Sequence, residues 1–411
     1  MEFKAYWQEK FKNNPVITLF CLILIVSFIL MILLSFCTRS WYFRWAMDMD
    51  FDAQLFGDHF DSMMYSIDHP YTIQHVIYPP LITAFYALLG WAALPYASAI
   101  GDNLSQQFAN SPVGMMGFIC TMIVALIALN YLFHYVLDKE FGGTCTSVVF
   151  CCLLLSTPFI YAIERGNCIY YSVIFLILFL LGYKSEDKKI RYLAYVCLAI
   201  ATSIKMFPIM FAFLLLRDRR FAEFFWCGII CAILLVVPFV FFDGTPFDLL
   251  NTIFNYSQPG ETGGNKLNMR QWLAILCNYL FGDPMPKVGT VIVSAILLFS
   301  IGLICFDKKM TQWEAVALLG CNMCIGFAIP AAYIYLNLLP AILVLLATEK
   351  ELTRYILMMD ILFAAVFCMM IPLAQIKSVI VAIIMVILMV QSIRRLMENR
   401  SKNADTMPEG S

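Results

Sequence analysis

Long apolar runs set the rhythm of this chain. They extend for roughly 17–25 residues without a charge, the length that crosses a hydrocarbon slab about 30 Å thick. Backbone groups in lipid have no water to bond, so runs of this length are predicted to be helices, and the strict alternation of a membrane barrel is absent from the sequence. The first run, about Val16 to Cys37, is longer than a signal-peptide core and lacks a small-residue cleavage site, which predicts an anchor that stays in the chain.

Charged interruptions divide the runs, and their sign predicts orientation, because short cytoplasmic loops are enriched in Lys and Arg. Lys4, Lys10 and Lys12 precede the first run. Lys184, Lys188, Lys189 and Arg191 form one loop, and Arg217, Arg219 and Arg220 another. Lys308 with Lys309, Lys350 with Arg354, and the tail from Arg394 to Lys402 complete a set assigned to the cytoplasm, together with both termini. The opposite side then receives the loop from about Thr38 to Ile77, the turn Glu164 to Asn167, the stretch from Asp243 to about Arg270 and the turn near Pro330. This arrangement requires Tyr78 to Ser98 to enter and leave on the outer side, as a re-entrant or broken helix at Gly90 and Pro95. It also makes Leu193 to Leu216 a pair of half-helices turning near Pro208.

The expectation is an all-α polytopic membrane protein of about 11–13 membrane segments. Residues 1–398 form one membrane domain with an outer loop at 38–77, and residues 399–411 form a disordered cytoplasmic tail. Composition agrees: 62% of residues are apolar and 13% charged, against about a quarter charged in soluble chains. The net charge of −1, with no long basic tract, excludes nucleic acid as a partner. Most of the 15 cysteines lie inside apolar runs, among them Cys145, Cys151, Cys152, Cys197 and Cys231, and read as free, small hydrophobes.

The outer loop carries six aspartates, Asp48, Asp50, Asp52, Asp58, Asp61 and Asp68, opposed only by Arg39 and Arg44. It is either a solvated acidic loop or a source of catalytic carboxylate. Asp58 and Asp61 are three apart, which puts both on one face of a helix, while Phe56, Phe60, Met63 and Met64 supply an apolar face to lie along the membrane surface. A carboxylate held at that boundary can act as general base toward a sugar hydroxyl. His59, His69 and His75 are candidate ligands for a divalent metal together with these aspartates, but their spacing requires no metal or other cofactor. The loop ends in Tyr78-Pro79-Pro80-Leu81, a helix start in which Tyr78 is also an ordinary interfacial aromatic.

Polar groups between apolar spans mark cavities or charged ligands. In Glu164-Arg165-Gly166-Asn167, Arg165 can clamp a phosphate and Asn167 can contact sugar hydroxyls; alternatively Glu164 and Arg165 pair with each other. Lys205, in Ser-Ile-Lys-Met-Phe-Pro, either snorkels or points into the bundle to meet a lipid phosphate. The Gly-rich stretch Asn255 to Trp272 adds Lys266 and Arg270 as a substrate lid or a connector, and Pro330 to Asn337 places Tyr333, Tyr335 and Asn337 near the outer face.

Taken in order, an acidic first outer loop ending in YPPL, then RGN at a helix junction, then Lys205 with Pro208, then PAAYIY in a late span, this chain resembles the polyprenol-phosphate-dependent mannosyltransferases of glycosyltransferase family 87, with the GT-C fold. The resemblance covers about Asp48 to Leu346. It implies an inverting membrane transferase that moves a hexose, often mannose, from a polyprenyl-phosphate carrier to a glycan or glycolipid acceptor on the outer side of a bacterial plasma membrane. It further implies an aspartate of the first outer loop as base, Arg165 and Lys205 at the donor phosphate, and Asn167 and Tyr333 along the sugar. The family often has its acid close behind the first span, which favours Asp48 or Asp50. The resulting order of candidates is Asp58, Asp61, Asp50, with Tyr78 and Arg270 as further substrate contacts.

Two other classes share many spans. A lipid or oligosaccharide flippase predicts ionisable groups on both sides of the midplane and an internal repeat. A cell-surface polysaccharide polymerase is expected to use several outer arginines and a histidine. Here the polar groups gather on one side and outer arginines are few.

Overall fold

The computed structural model describes residues 14–40, 42, 55–97, 103–256, 286–326, 331–371 and 374–405. Asp48, Asp50, Asp52, Lys266, Arg270 and Pro330 lie outside the described residues. Among those described, every regular element is helical, and the protein is an all-α polytopic membrane protein.

Among the described residues four helices are long and apolar enough to cross a bilayer: Pro15–Cys37, Pro112–Phe141, Phe221–Phe241 and Gln375–Asn399. We call the first α1. It is followed by α2 (Gly57–Ile67), α3 (Pro80–Ala93), α4 (Leu104–Asn110) and α5 (Pro112–Phe141). A bent pair, α6 (Gly143–Leu154) and α7 (Thr157–Arg165), meets at 64° and is apolar and long enough only when the two are taken together. Pro158, in the first turn of α7, has no N–H to carry the α6 ladder onward. Then come α8 (Ile169–Gly182), α9 (Lys188–Ile204), α10 (Phe213–Arg217), α11 (Phe221–Val236), α12 (Pro246–Tyr256), α13 (Pro286–Phe306), α14 (Gln312–Gly326), α15 (Leu339–Thr348), α16 (Arg354–Phe367) and α17 (Ala374–Asp405).

Prolines explain why several apolar runs yield half-length helices. α3 gives way at Leu94–Tyr96 to a 3-10 turn around Pro95. α9 stops at Ile204, because Pro208 can neither donate to the Ile204 carbonyl nor avoid it; a 3-10 turn over Phe207–Ala212 follows. Other apolar helices are enclosed by protein instead of lipid. In α14 every residue from Trp313 to Ile325 is buried, including Glu314 and Asn322.

One contiguous apolar core runs from α1 to α17. The basic loops meet each other at one end of it. Lys308 donates to the Arg217 carbonyl, Arg217 to that of Met310, and Lys350 pairs with Glu140. There too, Arg395 bridges buried Asp307 at 2.9 Å and buried Glu314 at 3.0 Å. The acidic loop after α1 joins a separate set of turns: His69 Nδ1 lies 3.3 Å from Asp243 Oδ2, and Tyr71 packs on Phe239 with ring centroids 4.7 Å apart.

Sequence patterning places the apolar face of α2 along the membrane surface. The structure corrects this: Phe60 and Met63 are buried in the core, and α2 crosses α3 so closely that a Cβ at Gly90 would lie 2.9 Å from the Met63 carbonyl oxygen. An amphipathic pattern says that one face leaves water; here that face found protein.

Candidate functional site

The site is assembled where α2 meets the α7–α8 junction. Phe56 adopts a left-handed conformation (φ 61°) just before α2, and its N–H donates to the Glu164 carbonyl at 2.7 Å. This pins the start of α2 to the end of α7. Asp58 then falls in the first turn of α2, where free backbone N–H groups favour a carboxylate.

α7 ends in a Schellman motif. Gly166 N–H donates to Ile163 O and Asn167 N–H to Ala162 O, both at 3.0 Å, with Gly166 at φ 66°. A Cβ at 166 would sit 2.9 Å from the His59 Cβ and 3.2 Å from the Phe118 ring, so glycine is required by conformation and by space alike. The turn delivers two side chains to Asp58. Arg165 donates to Oδ1 from Nε at 3.0 Å and Nη2 at 2.7 Å, and Asn167 Nδ2 donates to Oδ2 at 2.6 Å. The Asn167 carbonyl oxygen meanwhile accepts the Ile169 N–H at 3.1 Å, which fixes its rotamer. Among the described residues these contacts fill both lone-pair directions of Oδ1 and one of Oδ2, leaving one open acceptor position. Sequence leaves Arg165 either to a phosphate or to a pair with Glu164; in the structure its ion pair is with Asp58.

Asp61 faces elsewhere: its Oδ1 accepts the Ser105 hydroxyl of α4 at 2.6 Å. His59 is buried among Phe60, Tyr86 and Phe118, with ring centroids 5.1–5.3 Å away, and burial pushes its imidazole down to about 4. It is a neutral packing group beside the acid. Among the described residues no three His, Cys, Asp or Glu side chains converge to hold a metal ion, and the described cysteines are free thiols.

Lys205 sits in the extended break after α9. Its ammonium lies 4.4 Å from the Tyr78 ring centroid and 5.6 Å from that of Tyr333, so it points into the bundle. No hydrogen bond or ion pair joins it to any described residue. Tyr333 stacks on Tyr161 at 5.9 Å and 22°. Both Tyr78 and Tyr333 lie within electrostatic range of Asp58 and of the buried Cys168, which in turn feels Lys205.

Six of the residues singled out in sequence therefore converge: Asp58, Arg165, Asn167, Lys205, Tyr78 and Tyr333. Tyr161 and Cys168 join them without having been marked by sequence. Tyr161 carries a usable signal, since it lies four residues before Arg165 and shares its face of α7; nothing local distinguishes Cys168 from the other apolar cysteines.

A part-buried carboxylate, a cation with no ion pair among the described residues and tyrosine walls, gathered in a helical membrane protein, are groups that a membrane enzyme would use. Residues 76–330 match the model of glycosyltransferase family 87, and the chain belongs to that family: it is a membrane glycosyltransferase. The matched stretch contains Tyr78, Arg165, Asn167, Lys205 and Arg270; Asp50, Asp58 and Asp61 precede it, and Tyr333 follows. No curated protein and no solved structure matches the chain.

Proposed function

We propose that the protein transfers a hexose, mannose foremost, from a polyprenyl-phosphate-sugar to a lipid-linked or cell-surface glycan, with inversion, on the outer face of a bacterial plasma membrane. The observation that carries this reading is the Lys205 ammonium, a cation held by two tyrosine faces and matched by no carboxylate among the described residues, in the same cluster as Asp58. A cation without a counter-ion in a low-dielectric site calls for an anion from the substrate, and a carrier phosphate supplies it.

The reaction follows from these groups. The acceptor hydroxyl attacks the anomeric carbon as the bond to the carrier phosphate oxygen breaks. Its proton passes to the open position on Asp58 Oδ2, and the electron pair leaving on the phosphate is neutralised by Lys205. Displacement from the opposite face inverts the centre in one step, for which one carboxylate suffices. Arg165 and Asn167 hold that carboxylate, and the tyrosines flank the sugar. Asp61, turned toward Ser105, ranks second as base and Asp50 third. This route requires no metal.

The test is transfer of radiolabelled hexose from polyprenyl-phosphate-mannose or polyprenyl-phosphate-glucose by purified protein in nanodiscs. Asp58→Asn is expected to abolish transfer and Asp61→Asn to retain it. Absence of transfer from either donor, with lipid translocation detected in a companion assay, would replace this reading with a flippase.

A further inference from the structure

A lysine inside an apolar helix is costly to bury and needs hydrogen-bond acceptors or a counter-charge to offset the loss of water. Lys377, near the start of α17, is fully buried. Its ammonium donates to the backbone oxygens of Val366, in the last turn of α16, at 2.7 Å and of Cys368, the extended residue that caps it, at 2.9 Å, at the negative end of that helix. The Cys368 oxygen also accepts the Thr157 hydroxyl at 3.1 Å, and Thr157 is the first residue of α7, the helix that ends in Arg165. The next residue along α17, Ser378, has its hydroxyl 2.9 Å from that of Tyr335, in the 3-10 turn that carries Tyr333. From α1, Ser27 accepts the N–H groups of Met369 at 2.8 Å and Met370 at 3.1 Å, which fixes the same turn.

We infer that Lys377 is a positioning residue of the transferase: through the Cys368 carbonyl it sets the start of α7, and so the placement of Arg165 and Asn167 on Asp58, while Ser378 beside it sets Tyr333. The inference rests on the proposed role of the Asp58 cluster. A helix is stiff, and only about 12 Å of rise separates Thr157 from Arg165, so a shift at one end arrives at the other. An apolar side chain would fill the same space without the desolvation cost. It would leave the Val366 carbonyl without the lysine's hydrogen bond and the Cys368 carbonyl with the Thr157 hydroxyl alone.

Four variants in nanodiscs test this. Lys377→Met removes one donor to the Cys368 oxygen, Thr157→Val removes the other, Thr157→Ser keeps it, and the fourth combines the first two. Expected for Lys377→Met and Thr157→Val is a fall in kcat of about 10- to 100-fold, the loss typical of a displaced catalytic geometry, with donor KM within about threefold of wild type. Thr157→Ser retains wild-type kcat, and the double variant is worse than either single by less than about threefold, because both act through one atom. A second readout needs no turnover. Alkylation of Cys168, 1% exposed next to Asn167, is expected to rise about tenfold in both single variants, while Cys321, 0% exposed in α14, stays protected.

Unchanged Cys168 protection in both variants would overturn the inference. So would Cys168 and Cys321 opening together, which marks a residue that only holds the fold. If Lys377→Met does not fold, wild-type kcat and protection in Thr157→Val overturn it equally. Full transfer by Asp58→Asn in this assay would remove Asp58 as base and leave the labelling result standing.

Discussion

Arg165→Met separates two roles for the arginine, partner of Asp58 or ligand of the donor phosphate. Methionine keeps most of the length and removes both donors to Asp58 Oδ1. Hydrogen bonds to a charged group contribute about 1.5–3 kcal/mol each when shielded. Here the Arg165 and Asp58 side chains are 27% and 16% exposed, so solvent screens part of that. Asn167 still holds Oδ2, and the expected loss of stability is about 2 kcal/mol. The effect on turnover is larger, because a carboxylate held by one bond instead of three wanders from the acceptor hydroxyl. A displacement of about 1 Å costs about 100-fold. With initial rates measured across donor and acceptor concentrations, kcat is expected to fall about 100-fold and donor KM to stay within about threefold, since Lys205 is untouched. Lys205→Met should do the reverse on the binding side and raise donor KM at least about tenfold, a loss of about 1.4 kcal/mol or more in donor binding. A rise in donor KM for Arg165→Met as steep as that for Lys205→Met, with kcat unchanged, would refute this division, for then the arginine meets the phosphate.

Gly166→Ala forces an L side chain into φ 66° against the His59 Cβ 2.9 Å away, and a destabilisation of about 3 kcal/mol with loss of transfer is expected in detergent unfolding and activity assays; a wild-type unfolding midpoint would show that the α2–α7 contact yields freely. His59 titrates at about 4 when folded, below its ordinary 6.5, so the unfolded chain takes the proton first. Stability is therefore complete above pH 6.5 and declines by about 3 kcal/mol as pH falls toward 4. His59→Phe should flatten this acid limb of the stability curve; an unchanged slope would assign the acid sensitivity to other groups. Arg395→Met leaves the carboxylates of Asp307 and Glu314, 0% and 2% exposed, without their cation. About 3–5 kcal/mol should be lost with donor KM unaffected, and Glu314→Gln added to it should recover part. Recovery failing, the network is held by its backbone contacts and not by charge.

What is legible in the sequence is chemistry out of place. Arg165 and Lys205 stand out because each is an ionisable group against an apolar background, Asp58 because its loop carries more acids than cations and sets it three residues from Asp61, and RGN because a glycine between polar residues closes a helix. What is illegible is the choice of partner. Arg165 has Glu164 beside it and takes Asp58, 107 residues away, because the Schellman turn aims its side chain across the α2 start. Apolar patterning likewise shows which face leaves water without showing whether lipid or protein receives it. That is why α14, enclosed on every side, reads in sequence like a span, and why the apolar face of α2 reads as a membrane-surface face. Lys377 is visible as a letter, yet its partners are backbone carbonyls, which every residue owns, so no motif can mark it.

Charge counting shows the same division more sharply. Weighed along the chain, six aspartates face two arginines in the loop after the first apolar run, and the excess looks negative. Among the described residues the arrangement in space differs: Asp58 is paired with an arginine from another segment, Asp61 accepts a hydrogen bond from a serine, and Lys205 arrives from a third segment with no ion pair to a described residue. The charge left open beside the tyrosines is that of the lysine, and it suits an anion. In the proposed reaction the carboxylates count through one acceptor position on Asp58. The donor is selected by a single lysine between two tyrosines, and only the folded chain brings the two within reach of one sugar.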